Sequence, residues 1–175
     1  MTTDPDAEFT ALVRRQSRFV FRVAYAVLLN SHDAEDVVQE TFLKLYRNCG
    51  WQHIENESAF LARVAWRVAT DFRRRTPFTT APPRDFAMID DQPSTGPGPD
   101  QSTLAANRDA MIHAMIDALP EELRMPLVLS TFDELSSREI AGILDIPEGT
   151  VRTRLRRARQ VLRPKLVSLG ETRYA

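Results

Sequence analysis

Apolar residues recur every three to four positions along most of the chain, and this spacing predicts helices almost throughout. Between about residues 6 and 30, Phe9, Leu12, Val13, Val20, Val23 and Val27 form one stripe. Asn30, Ser31 and His32 break it. Asp33 then opens a second helix to about residue 47, with Val37, Val38, Thr41, Phe42 and Leu45 facing inward. A loop holding Gly50 and Trp51 follows. Ser58 is the expected cap of a third helix, residues 59 to 75, on a stripe of Leu61, Val64, Ala65, Val68 and Phe72. Further helices are expected at about 104 to 119 and 121 to 131, separated by Leu119-Pro120-Glu121, a stop followed by a proline-led start. No alternating stretch is long enough to predict a strand, and no internal repeat is present. The expected class is all-α.

The pattern is sharpest between Ser136 and Arg159. Ser136 with Glu139 forms a capping box, which starts a helix. Ile140, Ile143 and Leu144 make its apolar stripe, and Ala141 is small enough for a close helix crossing. Asp145 sits where the chain must turn, and aspartate tolerates the left-handed conformation. Pro147 suits the opening of the next helix. There, Val151, Leu155, Ala158 and Leu162 share one face. At about 100° per residue, Thr153, Arg156, Arg157 and Gln160 point the opposite way, flanked by Arg152 and Arg154. Residues 148 to 165 hold seven basic side chains against the single Glu148. A solvated helix face usually mixes signs. This is the sequence form of a helix-turn-helix whose second helix enters the DNA major groove. The bland alternative is a basic but idle surface helix.

Bulk composition narrows the field. The 175 residues suffice for one domain or two small ones, and a net charge of −1 excludes a basic nucleic-acid coat. Charge is instead segregated. Asp33, Glu35, Asp36 and Glu40 lie in a stretch without Lys or Arg, whereas residues 60 to 75 hold five Arg against Asp71. Such segregation points to separate surfaces for separate partners. Residues 76 to 100 carry six of the eleven prolines and four Asp against one Arg, the composition of a linker. The expected domains are therefore 6–75 and a helix-turn-helix domain at 104–168, joined by a flexible acidic linker at 76–103. Their relative placement is expected to be set by packing or by a partner.

Cys49 is the only cysteine, so an intrachain disulfide and a cysteine zinc cluster are excluded. Nor does Cys49 have a neighbouring base to make it a redox sensor. His32, His53 and His113 are scattered, and no nucleophilic constellation or glycine-rich phosphate loop occurs. Catalysis and cofactors are not expected. His32, Glu35, Asp36 and Glu40 lie at near-helical spacing, as a metal site would, but carboxylates at a helix start already suit its dipole. No metal is expected. The first eight residues are polar and acidic, unlike a signal peptide, and no apolar run approaches the roughly 20 residues of a bilayer span. A cytoplasmic chain without membrane insertion is expected.

With both halves in view, the chain resembles the extracytoplasmic-function (ECF) sigma factors, bacterial transcription initiation factors. Asp33-Ala34-Glu35-Asp36-Val37-Val38-Gln39-Glu40-Thr41-Phe42 is similar to the family's helix that binds core RNA polymerase. The run from Phe60 to Arg75 resembles its −10 promoter helix, and Leu119 through Arg159 its −35-binding domain. The resemblance implies core RNA polymerase and promoter DNA as partners, allows an anti-sigma factor, and implies no enzyme activity. It implies polymerase contacts at Asp33, Glu35, Asp36, Gln39, Glu40 and Leu43. It implies −10 contacts at Arg63, Trp66, Arg67, Arg74 and Arg75, with Trp51 and Asn56 in the preceding loop. It implies −35 contacts at Arg138, Thr150, Arg152, Thr153, Arg154, Arg156, Arg157 and Arg159. Arg67 stands where the family commonly has asparagine, and Asp145 where glycine is frequent. Trp66 suits either stacking on unpaired bases or half-buried packing. Two alternatives remain: a sigma-like interaction protein without promoter activity, and a LuxR-type helix-turn-helix regulator. The latter would carry an α/β domain upstream, which the helical pattern disfavours.

Overall fold

The structure, a computed structural model, describes residues 5–48, 54–76, 99–131 and 135–171, with side chains described from 106 onward in the fourth helix and up to 169 in the last. The described residues form seven helices and no strand: α1 (Pro5–Leu28), α2 (Ser31–Asn48), α3 (Glu57–Arg75), α4 (Pro99–Asp117), α5 (Glu121–Ser130), α6 (Ser137–Leu144) and α7 (Glu148–Glu171). Most of the expected linker lies outside the described residues, as do Cys49 and His53.

Helix boundaries differ from expectation where a local cap overrides the apolar pattern. The break after α1 is only Leu29-Asn30. Leu29 adopts the left-handed region at φ 52°, and its N–H reaches back to the Tyr25 carbonyl at 2.7 Å. Asn30 Oδ1 then accepts from the Asp33 N–H at 3.1 Å, so α2 starts at Ser31 rather than Asp33. Likewise Asn56, not Ser58, caps α3. Its Oδ1 accepts from the Ala59 N–H at 2.9 Å, and Ser58 is buried in the first turn. Helix α4 begins at Pro99, within the stretch read as linker. Pro126 sits inside α5, buried in the core.

Helices α1, α2 and α3 pack together, and α5, α6 and α7 form a second group with α4 laid on α7. The two groups are docked on each other, α5 against α1 and α6 against α3. One apolar core runs through both: Val23, Val37 and Leu61 are continuous with Met125, Leu129, Ile140 and Val151. Each such side chain contributes roughly 1.5–3 kcal/mol when buried. A smaller cluster of Leu119, Leu123, Ala158 and Leu162 ties α5 and α7 to the end of α4.

Neither α1 nor α4 has a basic residue in its last turn. Their terminal carbonyls lack intrahelical donors and sit at the negative end of the helix dipole. Arg124, almost fully buried, serves both ends. Its Nε donates to the Ala26 carbonyl at 2.8 Å, and its Nη1 to the Asp117 and Leu119 carbonyls at 3.0 and 2.7 Å. Arg73 Nη1 reaches the Val27 carbonyl at 3.5 Å. Beside this group, Tyr25 Oη donates to Asp117 Oδ2 at 3.2 Å. Burial, then the Asp117 charge, pushes the Tyr25 hydroxyl up to about 12. Burial also raises the Asp117 carboxyl and lowers the Arg124 guanidinium from their ordinary values.

Candidate nucleic-acid interface

The expected helix-turn-helix forms from the predicted local signals. Ser136 Oγ accepts from the Glu139 N–H at 3.3 Å, and Glu139 Oε2 accepts from the Ser136 N–H at 2.7 Å, completing the capping box. The Ser136 hydroxyl also donates to Glu139 Oε2 at 2.7 Å, and this bond, then the one from the Ser136 N–H, holds the Glu139 carboxyl below its usual range. Asp145 ends α6 in the left-handed region at φ 55°, with its N–H on the Ala141 carbonyl. Pro147 precedes α7, and the Thr150 and Val151 N–H groups return to its carbonyl. Val151, Leu155, Ala158 and Leu162 are all buried, which turns the arginine face outward.

Arg152, Arg156, Arg157 and Arg159 are exposed on α7, and Arg138 is exposed on α6. Thr150, Thr153 and Arg154 are half-buried beside them. Two of these arginines have carboxylate neighbours: Arg152 pairs with Glu148 one turn back, and Arg154 lies 4.0 Å from Glu122. Arg156, Arg157 and Arg159 are exposed to solvent on the side of α7 opposite its buried stripe.

The basic face of α3 is partly covered. Arg63, Arg67, Arg74 and Arg75 are exposed, but Arg75 lies 3.6 Å from Glu40 and Arg74 3.9 Å from Asp71. Trp66 is half-buried and packed against the main core, which favours the packing reading of that residue. Asn56 has two tasks. Besides capping α3, its Nδ2 donates to Glu139 Oε1 at 2.5 Å, across to α6. Trp51 lies outside the described residues.

On α2, Glu35, Asp36, Gln39 and Leu43 are exposed along one side, while Asp33 and Glu40 are half-buried. Glu40 accepts from Lys44 at 2.8 Å, and this bond holds its carboxyl below the usual range. Tyr46, one turn beyond Leu43, is also exposed and extends the apolar end of this stripe. Its spacing from Leu43 was a usable signal. Arg73, Glu121 and Arg124 had none, because the contacts that join them across the two halves, Arg73 to Glu121 and Arg124 to Ala26, span 48 and 98 residues. No group of three or more His, Cys, Asp or Glu able to hold a metal occurs among the described residues, and no described helix is long and apolar enough to cross a membrane.

Two family models match in order: sigma-70 region 2 over residues 12–77, and sigma-70 region 4 over residues 109–162. The ECF RNA polymerase sigma factor SigW of Bacillus subtilis is 33% identical over 173 residues, covering 95% of this chain and 92% of that protein. The ECF RNA polymerase sigma factor SigE of Mycolicibacterium smegmatis is 36% identical over 164 residues, covering 89% of this chain. The chain spans only 60% of that relative's length. Among solved structures, CnrH in complex with the cytosolic domain of CnrY superposes with a TM-score of 0.60 at 21% identity, over 95% of this chain and 92% of that one. The sigma factor RpoE in complex with the anti-sigma factor NepR, from Bartonella quintana, gives 0.62 at 18% identity, over 91% and 96%. At these identities the structures attest the fold alone.

Proposed function

The chain belongs to the extracytoplasmic-function sigma factors, and on that premise we propose that it docks on core RNA polymerase through α2 and directs it to promoters bearing paired −10 and −35 elements. It carries out no bond chemistry itself, and its work lies in the cytoplasm with the polymerase. The observation that carries the reading is the outward arginine face of α7 on a capped helix-turn-helix, in the same chain as an exposed acidic and apolar stripe on α2.

The roles divide by chemistry. Arg156 and Arg157, with Thr153 near base edges, supply sequence readout, since arginine on a guanine edge discriminates by roughly 1–3 kcal/mol. Arg154 and Arg159 neutralise phosphates, which adds affinity without specificity. On α3, Arg63, Arg67 and Arg74 track the strand at −10. Asp36, Gln39, Glu40 and Leu43 meet a basic, partly apolar surface of the polymerase. An anti-sigma factor is a further partner, of the kind that accompanies RpoE in its solved complex.

The LuxR-type alternative finds no support, because the upstream half is helical in every described residue except the turns. Run-off transcription with purified core polymerase on a promoter library separates the remaining two. Transcripts that require both this chain and core support a sigma factor. Core binding without any new start site supports the interaction-only reading.

A further inference from the structure

We propose that α1 carries a third DNA contact, a sequence-independent phosphate clamp built from Arg14, Arg18 and Arg22, which grips duplex DNA flanking the strand held on α3. The inference rests on the sigma-factor reading for its meaning, but the basic ridge itself is a matter of geometry. The three arginines recur every four residues, so they share one side of α1 and repeat about every 6 Å along its axis. All three are exposed. Among the described residues, neither Arg14 nor Arg18 has a carboxylate within ion-pair distance. Burial, then the Arg18 charge, pulls the Arg22 guanidinium below its ordinary value, so like charges crowd one another along this side. From Phe9 to Leu28 the helix has four Arg and no Asp or Glu, whereas a solvated helix face usually mixes signs. The acids of α1 lie in its first turn, and Asp6 there accepts from the Tyr46 hydroxyl at 3.1 Å.

The neighbours of α1 decide what the ridge meets. Phe9 packs on Phe42 and Tyr46 of α2, with ring centroids 6.4 and 5.1 Å apart. Arg18 comes nine residues later, about two and a half turns, so it points away from α2. A partner seated on the outward stripe of α2 therefore approaches from the other side. Helix α3 runs beside α1 in the same direction. Arg15 pairs with Glu57 at 2.8 Å in the first turn of α3, and Arg73 near its end reaches the Val27 carbonyl at 3.5 Å. DNA held on α3 continues as duplex beyond the melted stretch, and α1 is the helix beside α3 that offers it unpaired positive charge. Guanidinium groups stay charged and match phosphate oxygens well. A membrane surface is a poor match, because the apolar side of α1, with Leu12, Val20, Val23 and Val27, is buried in the core and cannot enter lipid. Contacts to phosphates add affinity and carry no sequence information.

The test measures salt dependence. The full chain carries Arg156→Ala and Arg157→Ala throughout, so that α7 does not dominate, and the probe is a random-sequence duplex of about three helical turns. Into this background go Arg14→Gln and Arg18→Gln together, which remove two charges with a residue that suits a helix. Each phosphate contact contributes about 0.9 to the slope of log affinity against log salt, so the slope should fall by about 1.8 and affinity at low salt by about tenfold or more. Arg14→Lys/Arg18→Lys should keep the slope, because it keeps the charge. Arg47→Gln/Arg108→Gln makes the same change in net charge at exposed positions off the ridge and should keep it too. Circular dichroism checks folding. Should the glutamine pair fail to fold, Arg18→Gln alone must lower the slope by about 0.9. An unchanged slope in the folded glutamine variant overturns the clamp, as does a lysine or off-ridge variant that loses as much. Absence of duplex binding at low salt overturns it as well, since the ridge is already exposed. An unchanged slope with weakened core-polymerase binding assigns the ridge to an acidic protein surface instead. Failure of the clamp leaves run-off transcription by the native chain intact. Failure of the sigma reading abolishes run-off and leaves the slope difference standing.

Discussion

Replacing Arg124 by methionine keeps an unbranched apolar stem and removes the guanidinium. Three carbonyls then lose their donor: Ala26 in the last turn of α1, and Asp117 and Leu119 at and just beyond the end of α4. A hydrogen bond from a charged donor contributes about 1.5–3 kcal/mol, so three would sum to far more than the net effect. The opposing cost is burial of the guanidinium, several kcal/mol for an ion without a bonded carboxylate. Its nearest acids, Asp117 and Glu121, act on it only through their charge. The balance leaves a destabilisation of about 3 kcal/mol, set mainly by carbonyls stranded at about 1–3 kcal/mol each. For a chain of this size that lowers Tm by about 6–12 °C. Urea titration and calorimetry measure both. Lysine should recover less than half of the loss, because one ammonium cannot replace a planar fork that serves two helix ends. A loss below about 1 kcal/mol, or full rescue by lysine, would refute the claim that Arg124 joins the halves by capping α1 and α4.

Arg156→Ala should relax sequence choice over a library of −35 duplexes, whereas Arg159→Ala should weaken all sites alike; equal selectivity in the Arg156 variant contradicts the assignment of roles. Asp36→Lys should lower core-polymerase binding about tenfold in a pull-down and leave binding of −35 duplex unchanged, and an undiminished pull-down places the docking face elsewhere. Glu57 accepts from Arg15 at 2.8 Å and from Gln16 at 2.5 Å, and the Arg15 bond holds its carboxyl below the ordinary value of 4.5. Its contribution is therefore present above pH 4.5 and fades as pH falls through and below that value. Arg15 is exposed and Glu57 half-buried, so Glu57→Gln should cost no more than about 1 kcal/mol at pH 7 and nothing measurable near pH 3; a cost independent of pH contradicts the ion-pair origin.

Local signals carried over into structure and distant ones did not. The helix-turn-helix was legible because its determinants lie within one short run. The Ser136–Glu139 box, the left-handed Asp145 and the four-residue stripe of α7 each appear as expected. The caps at Asn30 and Asn56 were misplaced because an apolar stripe fixes a helix's face more firmly than its first residue. An asparagine before the stripe competes with any nearby serine for the same role. Packing between the two halves was one of the expected arrangements, but the residues that dock them were not legible. Arg124 meets Ala26 across 98 residues, and Asn56 meets Glu139 across 83. Nothing in the local pattern around Arg124 distinguishes a buried arginine from an ordinary exposed one. The face of α3 that looked like a free basic surface is, for the same reason, partly an internal contact.

The central claim is that this chain makes core polymerase read two separated DNA elements. Selection from a fully randomised duplex library, with core polymerase plus this chain against core alone, measures that directly. The account predicts two enriched blocks at a fixed spacing of more than one helical turn, both absent with core alone, with Arg156→Ala blurring only the upstream block. Enrichment of a single block, or none beyond that of core alone, would contradict it.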